Sequence, residues 1–190
     1  HRTNMRILAY CLMRNHWHLL LWPDRDGALS AFAHWVTTVH ARRWVLAHDS
    51  VGRGAVYQSR FKAIPVQTDQ HLLTVWRYIE RNPVRASLVS RAELWPWSSL
   101  GQSRHDRVTP ALSKPPIQLP EDWIGHVNRP VTTSELKAVR EAIDSGTPYG
   151  EADWRISAAG LGGFRPRGRP KRGRTPFSEV LPEKGVRPLF

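Results

Sequence analysis

The stretch whose reading decides the fold is MRILAYCLMRNHWHLLLWP, residues 5–23. Residues 5–13 are almost continuously apolar and read as a buried strand. Arg14 and Asn15 read as a tight turn and residues 16–22 as the partner strand, which Pro23 ends because it has no N–H to donate. His16 and His18 are two residues apart in that second strand. Side chains at this spacing share one side of a strand, leaving Trp17, Leu19 and Leu21 for the other. Paired imidazoles can ligate a divalent metal, or they can hydrogen-bond backbone beside the turn. Two ligands are too few for a metal, so that reading needs a third group elsewhere.

Downstream, Leu29, Phe32, Ala33, Val36, Val39 and Arg43 or Trp44 recur at helical spacing, with Asp26 or Ser30 as caps. Residues 52–66 open on a glycine-rich turn and read as a short strand with basic and aromatic residues interleaved. Residues 69–81 predict a second helix with Leu72, Leu73, Val75, Trp76 and Ile79 apolar. The Asn82–Pro83 step interrupts it, since a residue before proline is pushed away from the α region. Residues 84–90 fit a further short helix. Tyr78 and Asn82 lie one helical turn apart on the same side. A tyrosine hydroxyl is a nucleophile once activated, and an asparagine oxygen is a metal donor. Equally, Tyr78 fits a half-buried core position, and Asn82 fits a cap for a helix beginning at Pro83.

Across all 190 residues, hydrophobic residues make up 41% and charged residues 23%, enough for a packed core. Lys and Arg number 28 against 16 Asp and Glu, a net charge of +12. Such a surface attracts polyanions, nucleic acid above all, although basic residues also serve solubility alone. Arginine outnumbers lysine, which suits phosphate and base-edge recognition. The single cysteine, Cys11, rules out an intrachain disulfide and a cysteine zinc cluster, and fits a small core side chain. No stretch reaches membrane-spanning length and no signal peptide is visible, so the expected setting is a bacterial-type cytoplasm without membrane partners.

Composition divides the chain into residues 1–100, a proline-rich wrapping segment at 101–164 and a basic tail at 165–190. The wrapping segment holds Pro110, Pro115, Pro116, Pro120 and Pro130, with a capped helix expected over 133–144. The stretch RPRGRPKRGR, 165–174, has six basic residues and no acidic one and reads as flexible.

Read together, YCLMRNHWHLLLWP at 10–23, VYQSRFK at 56–62, RYIERNPVRASLV at 77–89 and WPWSS at 95–99 resemble the REP-associated tyrosine transposases. These are a single-tyrosine branch of the HUH endonucleases that also contains the IS200/IS605-like transposases. The resemblance covers most of residues 5–100 and continues weakly through LPEDW at 119–123 and VNRPVTTSELKAVREAI at 127–143. It implies a ferredoxin-like α/β sandwich, an α+β fold with an antiparallel sheet and helices on one or both faces. It also implies His16, His18 and Asn82 as ligands of Mg²⁺ or Mn²⁺ and Tyr78 as nucleophile. The implied reaction cleaves single-stranded DNA beside hairpins such as REP-like palindromes, through a 5′-phosphotyrosine that permits strand rejoining. The implied location is the bacterial cytoplasm, on the nucleoid when bound to DNA.

Two departures stand out. Arg14 occupies a turn position where the family usually has proline. The family also has a strand and helix upstream of the position that is His1 here, so the catalytic domain is expected to be N-terminally truncated, with one sheet edge bare.

Arg60, Lys62, Arg77, Arg81 and Arg85 are expected DNA contacts, with a solvated basic face as the plain alternative. Arg167, Arg169, Lys171 and Arg172 join them in the tail, whose GRPK resembles a minor-groove element. Competing functions are a hairpin-binding protein that no longer cuts, and a metal-dependent hydrolase that uses water and leaves Tyr78 idle. Monomer and homodimer are both open.

Overall fold

The computed structural model describes residues 4–52, 54–68, 70–102 and 110–159. The basic tail, with Arg167, Arg169, Lys171 and Arg172, lies outside them. The fold is mixed α+β, the class the sequence predicts. Strands β1 (Arg6–Leu12) and β2 (Trp17–Trp22) form an antiparallel hairpin, and among the described residues the sheet has these two strands. Cys11 pairs with His18 and Leu12 with Trp17, and the register shifts between Ile7 and Ala9, leaving Leu8 as a bulge. At the open end of the hairpin Arg6 donates from Nε to Trp22 O (3.2 Å) and from Nη2 to Pro23 O (3.3 Å). Its guanidinium also lies 3.7 Å from the Trp22 ring centroid, so one side chain ties both strand ends.

The long helix α1 (Ala28–Ala47) follows, with Phe32 and Ala33 buried. Helix α2 (Gln70–Glu80) is much better buried: Leu72, Val75, Trp76, Tyr78, Ile79 and Glu80 are all shielded from solvent. The core forms where Leu8, Ala9, Cys11 and Leu20 of the hairpin meet Leu72, Val75, Trp76 and Ile79 of α2, with Val139 closing it from a later helix. Cys11 is the core side chain its sequence context predicts. Burial, reinforced by the neighbouring Glu80, pushes its thiol up to about 12, so it stays protonated at neutral pH.

The outer edge of β1 is covered. Leu12 N donates to Trp97 O (2.8 Å), Ser99 N to Tyr10 O (2.9 Å), Trp95 Nε1 to Leu12 O (2.8 Å) and Ser113 N to Ile7 O (2.7 Å). The WPWSS segment thus does for β1 what a neighbouring strand would do, and leaves its backbone groups paired.

The expected break at Asn82–Pro83 is slight. Helix α3 (Asn82–Arg85) restarts after a single turn residue, Arg81, and Arg81 N still donates to Arg77 O (2.9 Å). Pro83 sits in the first turn of α3, where its missing N–H is harmless. The short strand expected within 52–66 is not formed. Residues 54–65 run without a ladder, and Val66 makes one isolated parallel bridge to Tyr149. Basic–aromatic interleaving supplies the strand pattern, but among the described residues no strand lies alongside to pair with it.

The wrapping segment is more structured than its prolines suggest. Helix α4 (Trp123–Asn128) is capped by Asp122, whose Oδ1 accepts from Gly125 N (2.8 Å). Helix α5 (Thr133–Ser145) begins at a capping box between Thr132 and Glu135 and ends at Gly146, whose φ of 68° is a left-handed conformation that glycine adopts without strain. Helix α6 (Ala152–Ala159) follows.

Candidate active site

The hairpin turn and α2 bring the aromatic members of the site together. His16 lies in the turn, where Met13 N donates to its carbonyl (2.8 Å), and His18 lies on β2. The two imidazoles stand perpendicular with centroids 5.0 Å apart. Tyr78 meets His18 edge-on, with centroids 5.8 Å apart. The shared side of His16 and His18 is therefore the one facing α2, and Leu20 continues it into the core. Trp17, Leu19 and Leu21, expected to fill the other side, are only half-buried.

Burial pushes the His16 imidazole below its ordinary value, assisted by the charge of Arg85. His18 is pushed down to about 4, by burial first and then by His16 and Arg85. Both rings are therefore neutral at pH 7, each with a lone pair to offer. Asn15 Oδ1 lies 2.8 Å from His16 Nδ1, an arrangement that places the proton on Nδ1 and leaves Nε2 bare. This orienting role for Asn15 escaped the sequence reading, although its place in the turn beside His16 was the available signal.

Asn82 is fully buried on the first turn of α3. It is not the helix cap: that position falls on Arg81, and no side chain caps this end. Instead Asn82 Oδ1 accepts from Arg85 Nη2, while its Nδ2 is buried without a partner. The guanidinium carbon of Arg85 lies 5.6 Å from the centroid of the Tyr78 ring. Tyr78, Arg81 and Arg85 line a cleft of about 170 Å³ whose far wall is Pro130, Val131 and Leu136. That wall comes from the proline-rich segment, and nothing in the local sequence links it to the tyrosine.

The remaining basic residues divide. Arg77 Nη2 donates to Arg129 O (2.6 Å) and Pro130 O (2.7 Å), and Arg81 Nη1 donates to Val127 O (3.2 Å) and Asn128 O. These two guanidiniums hold the C-terminal end of α4, whose carbonyls would otherwise lack donors. Lys62 pairs with Asp144 at 3.3 Å, and Arg60 is exposed. Because residues 56–62 form no strand, Arg60 and Lys62 do not alternate along one.

A divalent ion fits the donors present. His18 Nε2 is buried with no hydrogen-bond partner, an orphan that a metal would satisfy. Two rings sharing one ion at bonds of about 2 Å have centroids roughly 5 Å apart, as here. No group of three His, Cys, Asp or Glu able to hold a metal occurs among the described residues, and the third ligand expected from the sequence is of a different type. Asn82 is the expected one.

Among the described residues no helix is long and apolar enough to cross a membrane. No curated protein and no solved structure matches the chain. Residues 1–82 match the model of a family described as "Transposase IS200 like". That stretch contains His16, His18, Tyr78 and Asn82, and it spans less than half of the chain.

Proposed function

We propose that the chain is a metal-dependent, single-tyrosine DNA strand transferase of the REP-associated kind, acting on single-stranded DNA beside hairpins. The observation that carries this reading is the contact of Tyr78 with His18, itself packed against His16. A nucleophile beside two neutral imidazoles is what phosphoryl transfer at a metal site requires.

His16 and His18 would hold the ion, with the Asn82 oxygen as third donor. Mg²⁺ or Mn²⁺ there supplies Lewis-acid polarisation of the scissile phosphate. Three neutral donors leave the ion's charge undiminished toward an anionic substrate. Tyr78 Oη attacks the phosphorus, the P–O3′ bond breaks, the phenolic proton passes to solvent and the departing O3′ takes a proton from solvent. A 5′-phosphotyrosine and a free 3′-hydroxyl result. Attack by another 3′-hydroxyl reverses the step on a second strand, and ester energy is conserved without ATP. Burial of Tyr78 on α2 supports the reading, since in-line attack needs a rigidly held nucleophile. The basic tail and Arg60 serve the same reading as backbone contacts. The cytoplasm, on the nucleoid, is the setting it implies.

Labelled hairpin-bearing single strand incubated with the chain and Mn²⁺ should yield an adduct that survives SDS. Tyr78→Phe should abolish that adduct and leave hairpin binding within about twofold, since only the hydroxyl is removed. An adduct of equal yield from the Phe variant would sink the assignment.

A further inference from the structure

Arg85 stands among the site residues in a way that a backbone contact does not explain. Its Nη2 donates to Asn82 Oδ1, and its guanidinium faces the Tyr78 ring. Nothing encloses it there, for the residue is exposed. Arg77 and Arg81 are different, because their guanidiniums bond backbone carbonyls of residues 127–130. Arg85 alone of the three is bonded to the side chain expected to ligate the ion.

We propose that Arg85 is a positioning residue of the metal site: a resident cation that holds Asn82 Oδ1 and competes with a divalent ion for it. The inference rests on the reading of His16, His18 and Asn82 as ligands. An amide oxygen has two lone pairs, but a guanidinium and a divalent ion on the same oxygen repel each other. A guanidinium bonded to Asn82 opposes any further positive charge there, and a metal ion more strongly because it carries two charges. Ion binding therefore requires Arg85 to leave Asn82. It has somewhere to go, since the cleft beside Tyr78 is lined by Arg85 itself and Arg81. A phosphate oxygen entering that cleft accepts from a guanidinium better than a neutral amide does. Substrate thus frees Asn82, and the site takes up its ion most tightly when DNA is present.

Mn²⁺ alone, titrated into the full chain and followed by the electron paramagnetic resonance of the free ion, tests the competition without cleavage. Arg85→Met and Arg85→Gln should both bind Mn²⁺ at least about fivefold more tightly than the parent. Two neutral variants are used so that a folding defect in one, seen by circular dichroism, leaves the other informative. Affinity equal to or weaker than the parent's in the folded variants overturns the proposal. His18→Leu separates this from failure of the ligand reading. It should abolish Mn²⁺ binding with or without Arg85, and undiminished binding in His18→Leu would remove the metal site and the competition together.

Discussion

Two polar side chains sit two residues apart on α2 and α3, both shut away from water, and their surroundings are opposite. Glu80 is 3% exposed, and both of its oxygens are bonded: Oε1 lies 2.6 Å from Ser99 Oγ, and Oε2 accepts from Trp123 Nε1 at 2.8 Å. Asn82 is 0% exposed, with one donor group unmet and its oxygen bonded to Arg85, itself an exposed residue. The first side joins α2 to the segment covering β1 and to α4. The second is bonded to Arg85, whose guanidinium lies near the Tyr78 ring, and Tyr78 in turn meets a histidine whose Nε2 also lacks a partner. A buried polar group with every bond made holds a fold together, whereas orphans persist where a ligand completes them. The α2–α3 segment therefore carries a structural side and a chemical side.

The largest expected effect tests the structural side. Glu80→Ala removes the acceptor of Trp123 Nε1 and the partner of Ser99, and leaves a cavity against a close-packed core. Stability should fall by about 3 kcal/mol, measured as the shift in urea midpoint multiplied by the slope. A loss below about 1 kcal/mol would show that the bonds around Glu80 are not what joins these segments.

A smaller effect separates the protonation states of the same group. Burial raises the Glu80 carboxyl above its usual range, against opposing hydrogen bonds from Ser99 and Trp123. The geometry explains how a neutral acid fits. Ser99 Oγ accepts from Tyr10 N (3.1 Å) and lies 3.2 Å from Tyr10 O, to which its one proton can go. A protonated Glu80 donates to Ser99 Oγ, and every group is then satisfied. The sign follows: an acid with a raised folded pKa contributes stability that is complete below its unfolded value and is lost as pH rises through the folded one. Glu80→Gln mimics the neutral acid, since its amide donates to Ser99 and its oxygen accepts from Trp123. The variant should gain on the parent as pH rises above the usual carboxylate range. A constant difference above that range would mean that Glu80 is ionised throughout.

What could be read from the sequence follows the same division between local and distant causes. The hairpin, α2 and the capped α5 were legible because alternation, helical spacing and a Thr–Glu box each act within a few residues. His16, His18 and Tyr78 were legible as candidates, and the fold brings their rings into contact. The role of Glu80 was hidden because its partners lie 19 and 43 residues away. Residues 56–62 misled for a related reason. A strand pattern forms a strand only where another edge is on offer, and the edge of β1 had gone to Leu12's and Tyr10's partners at 97–99. The cap alternative for Asn82 rested on the local preference of Asn–Pro. Continuation of the α2 turn through Arg81 overrides it and turns the amide inward.

The smallest effect has the opposite sign and belongs to the chemical side. If orphaned groups there are kept for a ligand, the empty fold should improve when one is removed. His18→Leu replaces an imidazole whose Nε2 has no partner with a side chain of similar bulk, on a side of β2 that runs directly into the core through Leu20. An unmet buried nitrogen costs about 1 kcal/mol or more, and leucine adds apolar contact with α2. Without metal, the variant should unfold at higher urea by about 1 kcal/mol, while Mn²⁺ binding and the covalent adduct are lost. The measurement is two denaturation curves in a chelator and one repeat with excess Mn²⁺. In the repeat the parent should recover its deficit through binding to the native state, and the variant should not respond. Destabilisation by His18→Leu in chelator would place the imidazole among the groups that hold the fold, on the same footing as Glu80, and the contrast between the two sides of the helix would collapse.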